Sequence, residues 1–144
     1  MSAQEQSKVL QFPTQITRRP IEPSDTSLSA KWDRCAPFIE AALAHASGTH
    51  SLADVLRLVV EGEAQFWPFK DAAIVTEIVK YPQRTILRFW LAGGKLQTLL
   101  DAEPEVIEWS KQWGCNGVEI IGRRGWNRAL NDYKSNSTIM VKDL

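Results

Sequence analysis

The sequence predicts an α/β fold, with a central mixed, mostly antiparallel sheet and helices on both faces. Three observations carry this reading. Two segments of helical periodicity precede three apolar, strand-like segments joined by short links, which favour antiparallel neighbours. Within residues 72–81, Ile74, Thr76 and Ile78 alternate with Val75, Glu77 and Val79, so this strand is apolar on much of both faces and needs cover from two sides. Residues 85–121 then read strand, helix, strand, and a parallel return of that kind takes a right-handed crossover. The full order is (β)ααβββαβαβ, the first strand being a short edge segment at Ile16–Ile21.

A chain of 144 residues, 44% hydrophobic and 24% charged, suits one domain with a real core. Seventeen basic residues balance seventeen acidic ones, which argues against a general grip on nucleic acid. Two arginine clusters remain, Arg18-Arg19 and Arg123-Arg124 with Arg128; solvated or carboxylate-paired arginine is their default reading. Cys35 and Cys115 have no metal spacing, and whether they pair is left open. The polar N-terminus shows no signal peptide, and no apolar run approaches the ~18 residues of a membrane span. Synthesis in a cytoplasm is the expectation.

In chain order, residues 1–28 form an extended N-terminal arm, rich in Gln, Ser, Thr and Pro, ahead of an α/β domain at 29–144. Trp32, Cys35, Ile39, Ala42, Leu43 and Ala46 mark a helix from Lys31, with Pro37 early in it. Ser51 is an N-cap and Asp54 completes a capping box for the next helix, which Gly62 ends. Strands follow at 64–69, 72–81 and 85–92, with turns at Lys70-Asp71 and Tyr81–Arg84. Gly93-Gly94 then leads into a helix carrying Leu96, Leu99 and Leu100 on one face, which Pro104 should interrupt and restart.

Residues 113–133 are the most strongly specified piece. Gly114 closes a helix, Val118, Ile120 and Ile121 form a β-branched strand, and Gly122 and Gly125 bracket a turn into a helix bearing Trp126, Ala129 and Leu130. Ser137–Val141 can make a last strand.

Catalytic templates are absent: there is no nucleophile elbow, Walker loop or dinucleotide fingerprint. His45 and His50 read as surface or capping histidines, and no metal site is expected. Cys115 follows a helix C-terminus, where the dipole disfavours a thiolate, and reads as a small core residue. Two places can carry chemistry. Amides at the Gly93-Gly94-Lys95 strand-to-helix corner can hold a phosphate, although a Gly-Gly turn is weak evidence for one and a plain tight loop is the default reading of the glycines. Tyr133 can donate a proton if it faces a cleft, or simply pack.

The order of elements, the opening segment Arg19–Asp25 and the late Asn127, Ala129 and Tyr133-Lys134 resemble the GNAT (N-acetyltransferase-like) superfamily. That resemblance implies acetyl-CoA as cofactor if the protein is enzymatic. It would put Gly93, Gly94 and Lys95 at the pyrophosphate and Asn127 beside the cofactor. Tyr133 would protonate the thiolate, and Glu77 would be a water-linked base. The usual Gln/Arg-x-x-Gly-x-Gly/Ala spacing is replaced by Ala92-Gly93-Gly94-Lys95, and the Gly-Phe after the tyrosine by Ser135-Asn136. Separately, Gly114-Cys115 with the run Gly122–Leu130 resembles small GNAT-like proteins encoded among tailed-phage virion genes. What this implies is a virion-associated structural or accessory protein without robust catalysis and with no cofactor. It would dock on phage structural proteins through its arm and an aromatic surface drawn from six tryptophans, with a homo-oligomer as a further expectation. It would be made in the host cytoplasm and carried in the virion. An acyl-CoA-dependent N-acetyltransferase is the alternative.

Overall fold

The computed structural model describes residues 27–122 and 125–144. The arm up to residue 26, with its Ile16–Ile21 strand, and Arg123-Arg124 lie outside the described residues, as does the side chain of Asn127.

Helix α1 spans Leu28–Leu43, opened by the Ser27 hydroxyl accepting the Ala30 N–H at 3.1 Å, three residues before the expected start at Lys31. Helix α2 spans Leu52–Val60 and has the expected capping box: Asp54 N–H donates to Ser51 Oγ, and Ser51 N–H to Asp54 Oδ2. Strands β1 (Gln65–Pro68), β2 (Ala72–Lys80) and β3 (Thr85–Gly94) form the expected antiparallel meander. Helix α3 (Leu96–Lys111) returns the chain to β4 (Gly117–Ile120), which pairs parallel with β3. The four-stranded sheet, in the order β1-β2-β3-β4, is therefore mixed and mostly antiparallel. A four-residue helix α4, Trp126–Ala129, follows.

The alternation along β2 sorts two cores. Trp67, Ile74, Leu87 and Phe89 meet Leu99, Ala102, Val106 and Trp109 of α3 on one face. Phe66, Ala73, Val75 and Leu91 meet Trp32, Cys35 and Ile39 of α1 and Val55 of α2 on the other. The cover from both sides is thus what the two-sided apolar strand required. Between Phe89 and Leu91 the register with β2 slips, leaving Trp90 as the extra residue of a bulge that moves Leu91 onto the α1 face.

A row of polar side chains is buried on the α3 face. Trp67 Nε1 donates to Thr76 Oγ1 at 3.0 Å, and the Thr76 hydroxyl donates to Gln65 Oε1 at 2.8 Å. All three residues are buried, so each satisfies a neighbour that water cannot reach.

Three expectations are corrected. Pro104 does not interrupt α3, which runs unbroken through it; the proline ring sits on the exposed side, where one missing backbone hydrogen bond is outweighed by core contacts before and after it. Leu96 is exposed rather than sharing the buried side of Leu99, because it falls in the opening turn ahead of the sheet contact. Residues 137–141 form no strand: they are exposed, and no described strand lies beyond β4 to pair with them. The closing glycine behaves as expected, since Gly114, at φ 85°, lets the Cys115 N–H return to the Ser110 carbonyl.

Candidate functional site

The corner between β3 and α3 is built by tight packing. Gly93 pairs with Ala73 and Gly94 with Ala72, so both glycines belong to the sheet ladder rather than to a loop. A Cβ on Gly93 would collide with the Phe38 carbonyl oxygen of α1, and Gly94 has φ 108° with its face against Asp71 and Ala72. Lys95 alone links strand to helix, with an exposed side chain and no side-chain cap.

The corner already has an anion. Lys95 N–H donates to the Asp71 carbonyl at 2.9 Å, and the Thr98 hydroxyl donates to Asp71 Oδ1 at 2.7 Å. A carboxylate at the first turn of a helix meets the positive end of its dipole. A pyrophosphate approaching the same turn would meet that negative charge. The residues present do not fit the group well: two glycines held in a ladder and one lysine face a resident aspartate.

The other candidates lie apart. Tyr133 donates to Glu103 Oε2 on α3 at 2.6 Å. Burial and the Glu103 carboxylate hold the phenol well above its ordinary range, so it keeps its proton firmly. Glu77 lies on the sheet face opposite α3, since its β2 neighbours Thr76 and Ile78 belong to the α3 side. The structure therefore brings Gly93, Gly94 and Lys95 together but does not bring Glu77 to Tyr133.

Glu77 belongs to a charged row that crosses three strands. Arg88 is in register with Glu77 on one side and Glu119 on the other. Its Nε donates to Glu119 Oε2 at 2.6 Å, its Nη1 to Glu77 Oε1 at 3.4 Å and its Nη2 to Tyr81 Oη at 3.1 Å. Burial alone would lower the guanidinium pKa, but the bond and charge of Glu119, then Glu77, hold it above its ordinary value. All three guanidinium nitrogens are engaged, so the row acts as a clamp across the sheet rather than as an open cationic site. A charge in the middle of each apolar strand, Arg88 between Leu87 and Phe89 and Glu119 between Val118 and Ile120, is the sequence signal for it.

His50 is not a free surface histidine. Its ring packs edge-on against Trp90 at 4.7 Å between centroids, bringing the α1–α2 connection onto the bulge, and Thr49 Oγ1 lies 2.8 Å from His50 Nδ1. The tryptophans do not make an aromatic surface: Trp32, Trp67 and Trp109 are buried, and Trp90, Trp113 and Trp126 are partly buried against the two cores. Cys115 also packs on the α3 core, where burial raises its thiol pKa. Among the described residues no group of three His, Cys, Asp or Glu is placed to hold a metal, and no helix is long and apolar enough to cross a membrane.

Tyr133 gives a pH prediction. A phenol whose folded pKa is raised contributes stability that is fully present below its unfolded value of about 10 and lost as pH rises beyond it. Thermal melts from pH 8 to 11 are expected to show a loss above about pH 10 that Tyr133→Phe diminishes; equal losses in both proteins would remove the Tyr133–Glu103 contact from the account.

No family model matches the chain, and no curated protein matches it. Solved structures do. A tetramutant of the BH1408 protein from Bacillus halodurans superposes with a TM-score of 0.59 at 10% identity, over 81% of this chain and 96% of that one. A possible acetyltransferase from Clostridium difficile 630 gives 0.50 at 13% identity, over 82% and 94%. At these identities the likeness is one of fold.

Proposed function

From a GNAT-like fold as premise, we propose that this chain uses its scaffold for docking rather than for acyl transfer, as an accessory protein of a phage particle. The observation that carries the non-catalytic part is the corner: Asp71 sits at the first turn of α3, where an acyl-CoA pyrophosphate would need positive charge and free amides. Two further features support it. Tyr133 is committed to Glu103, and Glu77 is committed to Arg88 on the other face of the sheet. The particle setting rests on the resemblance of Gly114–Leu130 to virion-gene proteins of tailed phages.

Isothermal titration with acetyl-CoA tests the first part. The expected result is no saturable heat up to millimolar cofactor. Saturable binding at micromolar concentration would overturn it and favour the acyl-CoA-dependent N-acetyltransferase. Mass spectrometry of purified particles tests the setting: the protein is expected among the particle components, and its absence from them would remove the phage role.

A further inference from the structure

Helices α1 and α2 cover only part of their face of the sheet. Val75 and Leu91, which pair with each other, lie in the core beneath them. Val79 and Ile86, a second pair farther along the same face, belong to neither core. Glu77, Arg88 and Glu119 share that open end, with side chains 28%, 23% and 34% exposed, and Tyr81 is exposed beside them.

One guanidinium serves two carboxylates there. Arg88 reaches Glu77 Oε1 and Glu119 Oε2, so Glu77 Oε2 and Glu119 Oε1 have no bonding partner among the described residues. Half-buried carboxylates that share a single cation favour the approach of a second one.

The chain carries such a cation in its own arm. Arg18 and Arg19 stand side by side, flanked by Ile16 and Ile21. The arm joins the domain at Ser27, where α1 begins on this same face. One turn into α1, Trp32 packs edge-on against Phe66 at 5.1 Å between centroids. Phe66 pairs with Val75, two residues from Glu77, so the start of α1 lies toward the open end. Arg19 is eight residues before Ser27, and an extended segment of that length reaches roughly 26–29 Å. The four strands together span only about 14–15 Å, so the arginines can reach the row on β2, β3 and β4.

We propose that the arm folds back on its own domain, placing Arg18 and Arg19 on Glu77 and Glu119 and laying its isoleucines against Val79 and Tyr81. The arm then completes the cover that the two helices leave unfinished, and the acidic side of the row is closed to other cations. This contact does not depend on whether acyl-CoA binds.

Carboxylate footprinting of the full chain with a water-soluble carbodiimide and a small amine, read by peptide mass spectrometry, is the test. Glu77 and Glu119 are expected to be labelled about threefold or more faster in R18A/R19A than in wild type, the size that one or two part-buried ion pairs give. Glu108, exposed on α3 beyond the other side of the sheet, should be labelled alike in both and serves as the internal control. The substitutions lie outside the described domain, and an unchanged circular dichroism spectrum checks that it stays folded. Equal labelling of Glu77 and Glu119 in the two proteins would overturn the proposal, as when the arm pairs along the edge of β1 instead. A difference that disappears on dilution would overturn it too, because the arm would then come from another copy.

Discussion

Replacing Gly93 by alanine is expected to cost about 1–3 kcal/mol of folding stability, toward the upper end of that range. The added methyl has nowhere to go: the atom it meets is the Phe38 carbonyl oxygen, part of helix α1, and Gly93 itself is fixed in the ladder opposite Ala73. Neither side is a flexible side chain, so the helix must move off the sheet. That movement would loosen the core in which Cys35 and Ile39 meet Val75 and Leu91. For a chain of this size a thermal midpoint drop of roughly 5–10 °C would follow. Gly114→Ala is the matched control. It too changes a glycine, at φ 85°, but a Cβ there meets nothing within 4 Å, so only the conformational cost of about 1–2 kcal/mol applies. A Gly93→Ala midpoint within about 1 °C of wild type would show that the glycine is not there for packing, and would reopen the corner as a ligand loop.

Thr76→Val is expected to cost about 2–4 kcal/mol, although it keeps the shape of the side chain almost unchanged. The hydroxyl accepts from Trp67 Nε1 and donates to Gln65 Oε1, and the valine does neither. Two buried polar atoms then lose their partners, at about 1–3 kcal/mol each. Thr76→Ser retains the hydroxyl and is expected to lose only about 1 kcal/mol, for one buried methyl. Urea unfolding separates the two, provided the slope stays constant while the midpoint moves. A cost for valine of no more than about 1 kcal/mol would show that the hydrogen-bonded row contributes little to stability.

Much of the fold was legible because its signals are local. The Ser51–Asp54 capping box, the turns at Lys70-Asp71 and Tyr81–Arg84, and the closing Gly114 each depend on neighbours a few residues away. The two-sided apolar pattern of β2 likewise foretold helices on both faces, since a strand greasy on both sides is stable only between two layers. Pro104 went the other way: local propensity argued for a break, and the contacts of Ala102, Val106 and Trp109 with the sheet outweighed it.

The candidate site was far less legible, because its meaning depends on which distant residues arrive there. Gly93-Gly94 reads alike whether it cradles a phosphate or admits a helix backbone; the closeness of Phe38 decides, and nothing near residue 93 in the chain announces it. Asp71 looks like an ordinary turn residue until β2 and β3 pair and bring it to Thr98. Arg88 looks like a solitary charge until Glu77 and Glu119 take their places on either side. The sequence by itself therefore determined the helices and strands from α1 to β4 and their layers, which follow from periodicity, caps and turns over a few residues, but not the unbroken run of α3 or the absence of a strand at 137–141. Only the tertiary structure decided that the Gly93–Lys95 corner is packed and already faces a carboxylate, because that outcome is set by contacts between segments 27 to 55 residues apart.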